Sequence, residues 1–303
     1  MENITRAYYE AHFENLFLKS KGAEFQNFFS KIMETRYPSD FVPIRPWGNL
    51  GDRKNDGYLV SQKSVHQVYA PNEMELSKAK NKIDMDLEGA LTYWNGKMKK
   101  WIFVHNSFEG LSADITSYLE EKKQEYSSIE IGIMGRSELR DIVFSMNEQD
   151  IAYILGPAPS DKAMRSIQLE DLKIVILSIG AENPVLDEDI KSPPIDKIVY
   201  NKLSEEVKTL IIAGMRKSPL VKIFFTKWHD RTFADKITQA FKNRYSELKR
   251  ANLPPDEIYM QLIEFAGGKE MKSPTHLSAV LAIVSHFFEE CDIFEGYDEG
   301  DLP

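Results

Sequence analysis

Between Leu155 and Ser160 the chain reads Leu-Gly-Pro-Ala-Pro-Ser, and two prolines, a glycine and a serine in six residues leave no helical or strand periodicity intact. The apolar pattern differs on the two sides of this break. Before it, short β-rich runs alternate with helical stripes; after Ile195 only helical spacing remains. At 303 residues the chain exceeds one ordinary core and suits two domains of about 100–200 residues each. The expected division is an α/β domain over residues 1–157, a connector over 158–194 and a helical domain over 195–303. The connector holds a second breaker, Lys191-Ser192-Pro193-Pro194, and a stretch from Leu169 to Ile179 that fits strand or helix.

Residues 3 to 36 read as two helices, the second with Phe25, Phe28, Phe29, Ile32 and Met33 on one face. Three β-rich stretches follow, Phe41 to Trp47, Asn55 to Ser61 and Ser64 to Ala70. Asn72 is placed to cap a long helix from Glu73 to Trp94, with Leu76, Ala79, Ile83, Leu87, Leu91 and Trp94 as its stripe. Trp101 to His105 and Ile129 to Met134 read as strands, separated by a helix from Leu111 to Glu125 and followed by helices around Glu138 to Met146 and Glu148 to Leu155. That order predicts an α/β sandwich with a mixed sheet flanked by helices. Beyond it, helices are expected over Asp196 to Ala213, Pro219 to Thr226, Phe233 to Asn252, Pro255 to Phe265 and Thr275 to Glu290, so the second domain is mostly α.

Composition narrows the function classes. A single cysteine, Cys291, excludes a disulfide scaffold or a cysteine-based zinc ribbon and favours a reducing cytoplasm. No apolar run approaches the length that spans a bilayer, so neither export nor membrane insertion is expected. Net charge is −9, divided −4 and −5 about Pro157, so neither half is a basic domain. DNA contact then requires a local patch, such as Arg45, Arg53, Lys54 and Lys78 to Lys82, with divalent cations or partner subunits. The six histidines are scattered, and no zinc site is expected. Gly214 and the Gly267-Gly268 pair read as helix C-caps.

Chemistry concentrates between Gly48 and Pro71. A tight turn over Ser61 to Ser64 sets Asp56 opposite Tyr69 and Tyr58 opposite Gln67, with all four on one face. A carboxylate and an amide oxygen meet there, a hard-oxygen set suited to Mg²⁺. Glu24, about 40° from Phe28 on the helical wheel, adds a third oxygen ligand. As a hairpin carboxylate, Asp56 is expected to contribute little to the core.

The run Gly51-Asp52-Arg53-Lys54-Asn55-Asp56-Gly57-Tyr58, with Gln67-Val68-Tyr69-Ala70-Pro71 and the helix-borne Glu24, resembles the restriction-endonuclease-like nuclease fold, with its Asp…(Glu/Gln)-x-Lys site. More narrowly, it resembles nuclease domains of bacterial anti-phage conflict systems, over roughly residues 20 to 155. The resemblance implies a metal-dependent endodeoxyribonuclease using Mg²⁺ or Mn²⁺, with Glu24, Asp56, Gln67 and Val68 as metal ligands. Tyr69 stands where that family carries its lysine. In relatives of this kind the lysine role can move to the following helix, where Lys78, Lys80 and Lys82 are available, Lys80 favoured by the wheel and Lys82, in Lys82-Ile83-x-x-Asp86, by the resemblance.

Four stretches of the second half, Asp196 to Leu203, Ala213 to Ser218, Ala266 to Gly268 and Phe287 to Glu295, resemble the helical C-terminal domains of ABC-three-component conflict systems. In those systems such a domain accompanies an ATPase and a small middle component. The resemblance implies a defence effector whose helical domain docks on companion subunits or self-associates, and whose substrate is double-stranded DNA. The alternative is a catalytically inactive nuclease fold serving as a DNA- or partner-binding module or assembly scaffold.

Overall fold

A computed structural model describes residues 1–44, 56–180, 197–228, 232–267, 273–290 and 293–295. Two compact units emerge, Leu16–Ile154, and Met1–Asn15 together with Leu155–Pro303. The first helix, α1 (Asn3–Lys19), therefore contributes its start to the second unit. There Thr5 Oγ1 donates to the Pro159 carbonyl at 2.9 Å, Tyr9 to Gly156 at 3.1 Å, and Asn15 Nδ2 to Glu264 at 2.8 Å. These bonds assign residues 1–15 to the helical unit, whereas the sequence pattern groups them with the strands.

The α/β unit runs α2 (Gly22–Arg36), β1 (Phe41–Pro43), β2 (Gly57–Leu59), β3 (Ser64–Tyr69), α3 (Leu76–Tyr93), β4 (Lys100–His105), α4 (Ala113–Glu125), β5 (Glu130–Met134), α5 (Arg136–Phe144) and α6 (Glu148–Leu155). The five strands lie in chain order, antiparallel from β1 to β3 and parallel from β3 to β5. This small mixed sheet is the one the sequence order implies. The crossovers α3 and α4 cover one face, where Ala79, Ile83, Leu87, Ala90, Ile115 and Leu119 bury against Val65, Trp101, Phe103 and Ile131. On the other face Phe29 of α2 and Phe41 of β1 pack their rings against His66, centroids 5.8 Å away. With helices on both sides, β3 and β4 are buried almost throughout, as parallel strands usually are.

Three local expectations change. The β2–β3 register pairs Gly57 with His66, Tyr58 with Val65 and Leu59 with Ser64, two residues from the anticipated one. The turn is Val60 to Lys63, where Lys63 adopts φ 52°, and Asp40 fixes it by accepting from the Ser61 amide at 2.8 Å and the Ser61 hydroxyl at 2.6 Å. A shift of two preserves strand parity, so Asp56 and Gln67 still share a face. Helix α3 begins at Leu76 rather than Glu73, and Asn72 does not cap it; Asn106 holds the preceding chain by donating to the Pro71 and Ser20 carbonyls. Leu76 is consequently exposed.

The helical unit contains α7 (Asp161–Ser166), α8 (Leu169–Gly180), α9 (Lys197–Tyr200), α10 (Glu205–Met215), α11 (Ser218–Lys227), α12 (Phe233–Arg250), α13 (Pro255–Gly267) and α14 (Pro274–Glu289). The ambiguous stretch from Leu169 is thus a helix, and its Leu172, Val175, Ile176 and Ile179 are buried in this unit's core. The expected helix from Asp196 to Ala213 is two, because Lys202 takes φ 54° and Ser204 caps α10 by accepting from the Val207 amide. Every residue of α14 from Leu277 to Phe288 is buried, which makes it the central helix. Gly214 is no C-cap: a Cβ there would lie 2.2 Å from Ser285 Oγ and 2.5 Å from the Leu281 carbonyl, so its missing side chain is what lets α10 approach α14.

Two predictions follow from this packing. Gly57→Ala would place a Cβ 2.1 Å from the Phe41 ring, itself wedged edge-on against Phe29 and His66. A loss of about 1–3 kcal/mol in urea unfolding is expected. Burial lowers the His66 pKa from 6.5 to about 4. The unfolded chain therefore takes up a proton near 6.5 that the folded chain refuses until about pH 4, so stability is full above 6.5 and falls as the pH drops through this window. His66→Leu should flatten the decline between pH 7.5 and 4.5, read from urea midpoints.

Candidate functional site

Just before β2, Asp56 extends the ladder with β3 in two ways. Its amide donates to the His66 carbonyl at 2.9 Å, and its carboxylate Oδ2 accepts the Val68 amide at 2.6 Å. The same oxygen accepts Gln67 Nε2 at 2.9 Å, and Oδ1 accepts Gln26 Nε2 from α2. Asp56 is 5% exposed and Gln67 2%. Several donors thus replace the water that burial removes from this carboxylate.

The amide oxygen of Gln67, Oε1, is sealed from solvent and accepts no hydrogen bond among the described residues. Buried acceptors of this kind are rare in folded proteins. A carboxylate and an orphaned amide oxygen side by side fit a hard divalent cation, which takes oxygen ligands and retains water. Asp56 and Gln67 would hold it. Val68 enters this cluster through its amide N–H, which orients the carboxylate.

The remaining candidates are placed unevenly. Glu24 is exposed on α2, and the α2 residue at the carboxylate is Gln26. The wheel explains the difference. Phe28 is only half-buried, whereas Phe25, Phe29, Ile32 and Met33 define the buried face, and Gln26 lies nearer its centre than Glu24. Lys80 Nζ lies 4.7 Å over the Tyr118 ring of α4. Lys82 Nζ pairs at 2.7 Å with Asp86, which is fully buried among the sheet-facing residues of α3. Lys78 is exposed and bonded to Glu75. Arg45, Arg53 and Lys54 lie outside the described residues, as does the run Gly48 to Asn55.

Aromatic rings line the same face. Tyr69 packs against Phe103, and Tyr58 stacks on Trp94 with centroids 4.7 Å apart while its hydroxyl donates to the Lys97 carbonyl. His105 pairs in register with Tyr69, at the carboxyl end of β4. Its Nδ1 accepts the Ser107 amide at 3.2 Å, which leaves the ring proton on Nε2, and burial lowers its pKa to about 4. A neutral imidazole with a fixed tautomer thus stands one strand over from the Asp56–Gln67 pair.

Residues 170–295 match the family model for C-terminal domain 10 of the ABC-three component systems. The matched stretch runs from α8 to just past α14. No curated protein and no solved structure matches the chain.

The hydrogen bonds overturn the expectation that Asp56 matters little to folding. Asp56→Ala would strand three donors, two of them buried, and should lower unfolding free energy by about 3 kcal/mol or more, seen as a lower denaturation midpoint. Glu24→Ala, at an exposed position, should stay within about 0.5 kcal/mol of the parent chain.

Proposed function

We propose that the α/β unit is a metal-dependent endodeoxyribonuclease and that the chain is an effector of a bacterial anti-phage ABC-three-component system. The observation that supports this reading best is the buried Asp56 carboxylate beside Gln67 Oε1, which has no partner among the described residues. The C-terminal match to a domain of those systems supports the setting. Bound at this pair, Mg²⁺ or Mn²⁺ would polarise a phosphodiester and acidify an attacking water. Gln26, the Gln67 amide nitrogen and the Val68 N–H hold Asp56 in one orientation, the positioning that such chemistry requires. Lys82 is the better candidate for the lysine role. Its ammonium is held against a buried carboxylate, whereas Lys80 is committed to the face of Tyr118.

A second reading rests on Tyr69. That ring occupies the position of the family's lysine and packs on Phe103, and Lys82 is already neutralised by Asp86. A nuclease fold without a free lysine would bind DNA or a partner without cutting. In both readings companion subunits, or further copies of the chain, supply the positive surface that a −9 chain lacks.

Incubation with supercoiled plasmid separates the two. With Mg²⁺ or Mn²⁺ and its companion subunits the parent chain should nick DNA, Gln67→Ala and Lys82→Ala should slow nicking by about 100-fold or more, and Lys80→Ala should not. Equal rates for the Gln67 variant and the parent would remove the proposed site, and absence of nicking under all these conditions would favour the binding module. Without partners, duplex binding at physiological salt should be weaker than micromolar, measured by fluorescence anisotropy.

A further inference from the structure

At the carboxyl end of α14, within the helical unit, His286, Glu289 and Glu290 bring one ligand atom each to within 4.8 Å of the others. Spacings of three and four residues put these side chains on one helix face. His286 is 6% exposed, and its Nδ1 is 2.8 Å from the hydroxyl of Ser218, itself buried at the start of α11. That bond ties one ring nitrogen and directs Nε2 away from it. Metal-binding histidines are oriented in this way, with the second nitrogen on a hydroxyl, carbonyl or carboxylate.

Glu289 supplies an independent observation. One of its carboxylate oxygens is sealed from solvent and accepts no hydrogen bond among the described residues. An uncompensated buried carboxylate oxygen is costly, and a cation is what it lacks. Beside it, Glu290 is paired with Lys222 of α11, whose ammonium brings a positive charge to the cluster. We propose that His286, Glu289 and Glu290 form a site for a divalent transition-metal ion, with Lys222 as the competing cation. One imidazole and two carboxylates suit Zn²⁺ or a neighbouring first-row ion better than Mg²⁺, which avoids nitrogen ligands. Three protein ligands leave a further position for water. The site would tie the end of the central helix, through Ser218, to α11, independently of the α/β unit.

Zinc binding by the full chain provides the test, by equilibrium dialysis with metal analysis and by thermal unfolding with and without Zn²⁺. The parent is expected to bind one Zn²⁺ that raises its Tm, and Glu289→Gln and Glu290→Gln, both at half-buried positions, should weaken binding at least tenfold. Lys222→Met should strengthen it severalfold by removing the competitor, a gain that a purely structural role for these side chains would not produce. The same pattern is expected with Cys291 replaced by serine, which excludes thiol binding. Retention of parental zinc affinity by both glutamate variants, loss of binding on the cysteine change alone, or no gain from Lys222→Met would overturn the site. Mg²⁺ at the same concentration should leave the Tm of Asp56→Asn unchanged, which separates this site from the one at Asp56.

Discussion

The amide of Val68 needs an acceptor. Its strand β3 is the seam of the sheet, antiparallel to β2 on one side and parallel to β4 on the other, and it is buried on both faces. The paired part of β2 begins at Gly57, opposite His66, so within the described residues its ladder does not reach Val68. An unsatisfied N–H at this depth would cost a large share of a domain's net stability. The Asp56 side chain supplies the acceptor for this amide. Once a carboxylate sits there, its other lone pairs recruit Gln26 and Gln67, and Gln67 is left with an oxygen that no described residue fills. Fold closure and the candidate site thus share one residue.

Close approach governs the surroundings. Gly57 leaves room for the Phe41 ring, which with Phe29 encloses His66 and leaves it neutral. On the opposite face, which Gln67 shares with its register partner Phe103, the α3 and α4 stripes exclude water from Trp101 and Phe103. A dry apolar floor lowers the local dielectric, which strengthens every contact of the carboxylate with a donor or a cation.

In the helical unit a different constraint rules. A helix buried on every side must end somewhere, and the last carbonyls of α14 need donors that water cannot supply. Lys197 provides one, donating to the Phe288 carbonyl at 2.8 Å with its ammonium over the Phe288 ring, and it donates also to the Ile293 carbonyl beyond the helix at 2.6 Å. Asn201, one turn on, donates to the Lys197 and Glu295 carbonyls and accepts the Glu295 amide. Two of the stretches that carry the family resemblance, Asp196 to Leu203 and Phe287 to Glu295, are therefore the two halves of one helix cap. The same helix end presents His286, Glu289 and Glu290, so the cap and the proposed ion site brace adjoining turns.

Hydrophobic periodicity alone determined the element order, the mixed sheet and the change to helices after Ile195, because repeats of 2 and 3.6 residues are local properties of the chain. Strand parity likewise put Asp56 and Gln67 on one face even with the hairpin register off by two, since parity survives an even shift. The helix ends were less legible: Ser204 and Ser273 cap as serines should, but Asn72 does not, because Asn106 on a distant strand end holds the neighbouring chain. Only the tertiary structure chose Gln26 over Glu24, turned Lys80 to Tyr118 and Lys82 to Asp86, and moved residues 1–15 to the helical unit. His286, Glu289 and Glu290 are close in sequence, yet nothing in their spacing reveals the buried serine behind the imidazole. A wheel reports which way a side chain leaves its own helix; what it meets there depends on residues tens or hundreds of positions away, and only packing brings those together.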